Sequence, residues 1–328
     1  MNKYLKITPE GTRDYLFDEC RAFTDVCQKI QRIFEAKNFH QVITPCIEFY
    51  DLFSLEYSGI PQETMFKTTD NKGRILVMRP DSTLPIARMA STRLKNNVGE
   101  KFRLFYRQAV YRNNPTLTGR YNEIMQMGIE LLGAVGEQAD LEVITTAIES
   151  MEAVCTDFRF EIGHSLFFKA LLRQIEADDE TKLNIKTAME NRNYTLLYSI
   201  LDKLSDARGV SALRKLPRMF GGEEVFAQAA DLCETEEAME ALKYVESMYR
   251  SLCGKFPREN ICVDLALVQR NDYYSGIVFL GYVNGIGDAV LSGGRYDMLM
   301  DSFDCPMGAS GFAINIDALA SQSNGGMS

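Results

Sequence analysis

Histidine is nearly absent. His40 and His164 are the only two in 328 residues. Neither has neighbours that fit a nucleophile triad or a metal cluster, so both are assigned to structure. The eight cysteines stand singly at Cys20, Cys27, Cys46, Cys155, Cys233, Cys253, Cys262 and Cys305. None forms the C-x-x-C pair of a zinc site, so no metal is expected. Scattered single thiols fit a reduced, cytoplasmic setting. Cys20 and Cys27, seven apart, are expected to share the buried face of one helix. No apolar run approaches the roughly 20 residues of a membrane span. The start, Met1–Pro9, has no apolar signal core. A surplus of basic charge is also missing. Lys and Arg number 36 against 45 Asp and Glu, a net charge of -9, which argues against a broad nucleic-acid footprint such as tRNA. Neither G-x-x-x-x-G-K-[ST] nor G-x-G-x-x-G after a strand is present, so the common nucleotide loops are excluded and no cofactor is expected.

What is present is a soluble-protein composition, 46% hydrophobic and 25% charged. Residues 14–36 read as an amphipathic helix. Leu16, Cys20, Phe23, Cys27, Ile30 and Phe34 recur at three- and four-residue intervals, with Asp14 as N-cap. A short strand at Gln41–Thr44 follows. Met65–Thr68 and Arg74–Met78 predict a hairpin about the turn Asp70–Gly73. Pro80–Thr83 opens a helix to about Asn96, capped by Ser82 or Thr83. Further helices are expected at 138–155 and 235–253, and strands at 158–162, 261–268, 275–283 and 288–291. Turns are expected at Asn284-Gly285 and Ser292-Gly293-Gly294. The segment Gly308–Leu319, rich in glycine and alanine, is read as the start of a helix, and the tail Ser321–Ser328 as frayed. Strands and helices in runs, without strict βαβ alternation, predict an α+β fold with a mostly antiparallel sheet flanked by helices. Residues 165–232 are helical and charged. They read as an insertion between a core of residues 1–164 and a second core portion of residues 233–328.

The pair 102–112 and 120–132 is the most informative stretch. It reads as an antiparallel hairpin with Arg112 and Arg120 at its mouth. In the second strand Met125, Met127, Ile129 and Leu131 share one face, while Gln126, Gly128 and Glu130 share the other. A glutamine and a carboxylate flanking a glycine make a recess with polar walls. On the residues alone, Arg112 and Arg120 read first as solvated strand-end charges. Tyr273 and Tyr274 read equally as core aromatics with a wet hydroxyl.

These segments, in this order, resemble the catalytic domain of histidyl-tRNA synthetase, a class II synthetase. The chain is similar, more closely, to the synthetase-like regulatory subunits of ATP phosphoribosyltransferase, which act in the first step of histidine biosynthesis. Thr8–Asp14 resembles the synthetase's start. Residues 34–50 resemble its first motif, a dimer element. Phe102–Gly133, with Tyr111-Arg112 and Gly119-Arg120-Tyr121, resembles its second. Asp272-Tyr273-Tyr274 followed by Ser275–Phe279 resembles the histidine-specific loop. Ser292–Asp297 and Gly311–Ala313 resemble the approach to the third motif. The resemblance covers nearly the whole chain, and the helical stretch 165–232 only weakly.

The resemblance implies a class II synthetase-like fold and a pocket for histidine. Glu130, with Asp81 and Thr83, would receive the ammonium group, and Gln126 would bond beside it. Arg112 would pair with the carboxylate, Tyr273 and Tyr274 would frame the imidazole, and Arg120 is a possible anion contact. Asp81 is shorter than the glutamate usual at its place. Three departures touch the chemistry. Gln269 stands where the family has an arginine, and Ala318 stands where the third motif ends in another. Asn114 stands where a carboxylate follows the second motif's arginine. Arg270 would point to the opposite face of an extended strand. Fixed cations stabilise charge developing on phosphorus, and losing one costs about 3–4 kcal/mol of barrier. The sequence ends at Ser328, where the synthetase continues into an anticodon-binding domain, so none is expected. The implied role is a non-catalytic regulatory subunit. It would bind histidine as a feedback effector, pair with a short-form ATP phosphoribosyltransferase catalytic subunit, and dimerise through apolar surface at Phe34, Phe39, Val42 and Ile43. The alternative is a truncated synthetase paralogue that adenylates an amino acid.

Overall fold

The computed structural model describes residues 4–55, 58–94, 99–115, 119–205, 208–269 and 273–324. Its strands are β1 (His40–Gln41), β2 (Ile47–Phe49), β3 (Lys67–Thr69), β4 (Ile75–Met78), β5 (Phe102–Tyr111) and β6 (Glu123–Leu132). After these come β7 (Phe158–His164), β8 (Phe220–Gly221), β9 (Ile261–Asp264), β10 (Ile277–Val283), β11 (Leu291–Arg295) and β12 (Ala309–Asn315). Its helices are α1 (Asp18–Ala36), α2 (Thr83–Met89), α3 (Glu137–Glu152), α4 (Ser165–Arg173), α5 (Asp179–Glu190) and α6 (Tyr194–Leu201). The rest are α7 (Arg208–Lys215), α8 (Glu224–Ala230), α9 (Glu236–Cys253), α10 (Asp297–Asp301) and α11 (Ile316–Asn324).

Nine strands form one sheet in the order β1-β5-β6-β12-β11-β10-β7-β9-β8. Only the β1–β5 and β7–β9 pairs are parallel. A small antiparallel sheet, β2-β4-β3, stands beside it. This is the expected α+β architecture. Alternation sorts the large sheet into two apolar layers. Phe105, Met127, Ile129 and Leu131 pack with Val26, Cys27, Ile30 and Phe34 of α1 and with α3. Leu104, Tyr106 and Leu132 pack on the other side with Leu84 and Ile86 of α2 and Leu299 of α10. The candidate site opens on this second side.

Several boundaries differ from the sequence reading, each for a local reason. The first helix starts at Asp18, not after Asp14, because Tyr15 is drawn away to donate to the Asp317 carboxylate. Cys27 is buried but Cys20 is exposed, and Leu16 is 59% exposed, so the apolar stripe begins a turn later than the spacing implied. The helix α2 is followed by a π-helical turn over Ala90–Leu94, and its expected end at Asn96 lies outside the described residues. Neither Ser82 nor Thr83 caps it; Asp81 Oδ1 accepts the Leu84 N–H at 3.0 Å. The strand expected at 261–268 stops at Asp264, whose own carboxylate accepts the Ala266 N–H and turns the chain.

Two corrections reshape the site. Ser292-Gly293-Gly294 is no turn but the middle of β11, hydrogen-bonded on both sides. Gly294 is small because Tyr274 lies there: a Cβ would stand 2.8 Å from the ring. Likewise Gly308–Leu319 does not begin as a helix. Residues Ala309–Asn315 form β12 between β6 and β11, and the helix starts at Ile316. Pairing on two sides overrode a composition with little strand propensity.

Residues 165–232 hold α4 to α8. Their apolar side chains, among them Phe167, Ile185, Leu197 and Leu213, join the same buried cluster as α9 and the sheet. The short β8 in this stretch pairs with β9 of the large sheet. His164 is buried and its Nδ1 accepts the Leu166 N–H at the start of α4. Burial, helped by the nearby Lys169 charge, holds its imidazole down to about 4. His40 is exposed in β1. His164 therefore sits in a structural place, at the start of α4.

Candidate functional site: an acid-floored recess on the sheet

Glu130 lies near the end of β6, on the face that also carries Leu132 and that meets the start of α2. Opposite it in register is Gly311 of β12. A Cβ at Gly311 would collide with the Glu130 carboxylate, so only glycine leaves room for the acid. The carboxylate is 1% exposed. Its Oε1 accepts the Thr83 hydroxyl at 2.8 Å and its Oε2 accepts the Tyr296 hydroxyl. Burial pushes its pKa up to about 8, and Asp81's negative charge adds to that; the two hydroxyl bonds pull the other way. Near neutral pH the floor of the recess is thus mostly a neutral acid that an incoming cation could ionise.

Around this floor the chain gathers one recess of about 400 Å³, its mouth included. Asp81, Thr83, Arg112, Gln126, Glu130, Tyr273 and Tyr274 all line it. These are the seven residues that the sequence nominated. They come from four separate places: the start of α2, the end of β5, β6, and the segment before β10. Burial raises the Asp81 pKa, and the Leu84 N–H and the Arg112 guanidinium partly offset it. Arg112 is held at its base by donating Nε–H to the Pro80 carbonyl at 3.2 Å. Tyr273 packs against Tyr274 at 4.9 Å between centroids and edge-on to Tyr296 at 5.9 Å. Burial lifts the Tyr274 and Tyr296 hydroxyls well above their ordinary value, so both remain donors. One cationic, two acidic and several aromatic groups in one recess match a zwitterion with a flat side chain.

Ser292, Tyr296, Gly311, Phe312 and Ala313 also line the recess and were not nominated. Reading 309–315 as a strand would have found the glycine and the alanine. In register, Gly311 faces Glu130 and Ala313 faces Gly128, the central residue of the nominated polar face.

The other singled-out positions lie elsewhere. Gln269 lines a neighbouring cavity, and its Nε2 donates to the carbonyls of Gly293 at 3.3 Å and Phe279 at 3.5 Å. Ala318 is packed beside the core in α11, with its N–H donated to Asn315 Oδ1. Asn114 ties the hairpin mouth through Asn122 Oδ1 and the Tyr121 carbonyl. Arg120 does not line the recess; it is half exposed and reaches Asp288 at 3.4 Å across the surface. Arg270, Asn271 and Asp272 lie outside the described residues, as do Thr116, Leu117 and Thr118 in the hairpin loop. Among the described residues no group of three His, Cys, Asp or Glu side chains could hold a metal ion. No described helix is long and apolar enough to cross a membrane.

The family model described as histidyl-tRNA synthetase matches residues 11–319. An ATP phosphoribosyltransferase regulatory subunit of Clostridium novyi is 39% identical over 321 residues, covering 97% of this chain and 76% of that protein. One from Clostridium acetobutylicum is 40% identical over 318 residues, covering 96% and 78%. Among solved structures, an ATP phosphoribosyltransferase regulatory subunit/histidyl-tRNA synthetase from Bacillus halodurans superposes with a TM-score of 0.89 at 31% identity. That match covers 97% of this chain and 83% of the other.

Proposed function

This chain belongs to the family of ATP phosphoribosyltransferase regulatory subunits, and we propose that it senses histidine for a short-form catalytic partner without activating the amino acid itself. The observation that carries this reading is the convergence of Asp81, Thr83, Arg112, Gln126, Glu130, Tyr273 and Tyr274 on one recess. In the proposed pose, the ligand's ammonium group meets Glu130 and Asp81. Its carboxylate pairs with Arg112, and its imidazole lies against Tyr273 and Tyr274. Gln269 and Ala318 supply no fixed cation for a phosphate. Gln269 lies in the wall of the next cavity and Ala318 offers no side-chain donor. Adenylation would therefore lack the electrostatic stabilisation that usually dominates such a step.

Feedback requires that histidine bind two states of the complex unequally, and a coupling of about 1–3 kcal/mol would suffice. The test is reconstitution with a short-form ATP phosphoribosyltransferase. The complex should be active and inhibited by histidine, and the chain alone should show no histidine-dependent ATP–pyrophosphate exchange. Glu130→Gln keeps the shape and removes the anion. It should still assemble and activate while the inhibition curve moves at least tenfold toward higher histidine. Robust exchange by the purified chain would establish the adenylating alternative. Inhibition left unchanged by both Glu130→Gln and Arg112→Met would remove the recess as the sensor.

A further inference from the structure

Tyr296 is buried in the wall of the recess and donates its hydroxyl to Glu130 Oε2. It stands between two charged residues, Arg295 at the end of β11 and Asp297 at the start of α10. Arg295 is buried as well. Its Nε and Nη2 donate to Asp140 Oδ1 of α3 at 3.0 and 2.7 Å. Its Nη1 donates to Asp297 Oδ1 at 2.8 Å and to the Ala134 carbonyl at 3.3 Å. Asp140 is buried, and its Oδ2 accepts the Tyr244 hydroxyl of α9 at 2.5 Å. The backbone is tied at the same three positions. The Arg295 carbonyl accepts the Ser275 N–H at 2.8 Å, and Tyr296 donates its N–H to the Ala309 carbonyl at 2.8 Å. Asp297 donates its N–H to Ser275 Oγ at 3.1 Å, and its Oδ1 accepts the Ala309 N–H at 2.7 Å.

A buried ion pair is a weak source of stability, because desolvation offsets most of its attraction. What this one supplies is direction. The Arg295–Asp297 contact closes over the peptide of Tyr296, and Asp140 fixes that contact against α3. The Tyr296 ring is a long lever. A rotation of about 10° at its Cα moves the hydroxyl by about 1 Å, more than the roughly 0.5 Å that a binding constellation tolerates. We propose that Arg295 and Asp140 are positioning residues of the recess, which hold the Tyr296 hydroxyl on Glu130 although neither is among the described residues that line it. For its effect on ligand binding this rests on the histidine reading of the recess; its effect on Glu130 is present without ligand. The titratable groups that face Glu130 are Asp81 before α2, Tyr106 of β5, Tyr274 before β10 and Tyr296. From β12 Gly311 stands opposite. Burial keeps the three tyrosines protonated near neutral pH, and the Arg112 charge acts on Asp81. The Tyr296 bond favours the ionised carboxylate, so losing it raises the Glu130 pKa.

The experiment follows the Glu130 carboxyl carbon by NMR in the ligand-free, carbon-13-labelled chain as pH is varied, with Glu130→Gln identifying its signal. Tyr296→Phe removes the hydroxyl outright and should raise the Glu130 midpoint by about one unit. Asp140→Asn should move it in the same direction. Asp140→Asn combined with Tyr296→Phe should go no further than Tyr296→Phe alone, because both act through one hydroxyl. Histidine binding at pH 7 should weaken in step, by up to about tenfold per unit. The proposal is overturned if Asp140→Asn folds with a lower melting temperature and an unmoved midpoint, which is what a merely structural pair would give. It is also overturned if the two shifts add in full in the double variant. Should Asp140→Asn not fold, Arg295→Lys decides by the same two outcomes. It keeps a cation against Asp140 but lacks the fork that holds Asp140, Asp297 and the Ala134 carbonyl together. If the ligand-free titrations behave as expected but the parent chain does not bind histidine, the function proposed above fails and this inference stands.

Discussion

Glu130 concentrates the physical chemistry of the recess in one side chain. Its folded pKa of about 8 stands far above the ordinary glutamate value of 4.5. Between those two values the folded chain holds a proton that the unfolded chain has lost. Raising the pH through that window therefore favours unfolding of the ligand-free protein. A ligand ammonium group reverses the balance, because it binds the ionised carboxylate. Histidine affinity should fall as pH drops from 8 to 6.5, approaching about tenfold per unit, with close to one proton released per ligand bound near pH 7. Calorimetry in two buffers of different ionisation enthalpy measures that proton directly. Glu130→Gln should abolish the release and cost the ligand-free chain little stability at pH 7, since it imitates the protonated acid. Unaltered proton release in that variant would assign the titration to another group. The residue types were legible in the sequence because alternation in 123–132 put Gln126 and Glu130 on one face. The raised pKa was not, because it comes from burial beneath segments distant in sequence and from the charge of Asp81, against which the Tyr296 and Thr83 hydroxyls pull.

At the scale of elements, the helical stretch from 165 gains a polar tie to the sheet, beside its apolar packing and the β8–β9 pairing, from one residue in the turn after α5. Arg192 adopts a positive φ of 51°. From that position its Nη2 donates to Glu161 Oε2 at 3.0 Å and Asp264 Oδ2 at 3.2 Å. Glu161 is fully buried and Asp264 is 5% exposed. Burial, with Glu161's charge beside it, pushes Asp264 up to about 6, and Arg192 opposes the shift. Arg192→Met would leave two buried acids with a weakened partner set, a loss of about 1–3 kcal/mol. The loss should be larger at pH 8, where Asp264 is ionised, than at pH 5, where it holds its proton. Urea unfolding at the two pH values tests this, and an equal or inverted effect would show that Arg192 does not carry the pairing. The strand β12 makes a related point. Its sequence, Ala309–Asn315, carries no strong strand signal, yet two neighbours supply its hydrogen bonds and its small residues clear space for the acid.

For the whole molecule, the open question of assembly turns on which apolar surface is left outside. Phe34 and Phe39 were expected on a dimer face, but both are buried in the chain's own core. Phe34 is fully buried, with the rings of Phe105 and Phe312 at 5.7 and 5.9 Å. Val42 is partly buried against the second cluster. Ile43 remains 76% exposed, and Ile47 and Phe49, two apart on β2, are 49% and 46% exposed. Between them Glu48 turns inward to Arg88 at 2.7 Å. A self-complementary contact of copies of this chain is therefore expected to use Ile43, Ile47 and Phe49. The double substitution Ile43→Lys with Ile47→Lys should convert a dimer to a monomer in sedimentation equilibrium at micromolar concentration. A parent chain that is already strictly monomeric there would remove the proposal.

The sequence by itself determined the periodic features: a helix ending at Ala36, the long hairpin β5–β6, and which face of β6 carries acid and amide. These depend on neighbours two to four residues apart, so a linear pattern contains them. Only the tertiary structure decided the rest. It made Gly293 and Gly294 strand residues because β10 and β12 pair with them on both sides. It turned Gly311 from a presumed helix start into the wall opposite Glu130. It buried Phe34 rather than exposing it. It also placed Gln269 in the wall of the next cavity. Each of those outcomes was set by groups tens to hundreds of residues away, through hydrogen-bond pairing and excluded volume, which no local pattern encodes.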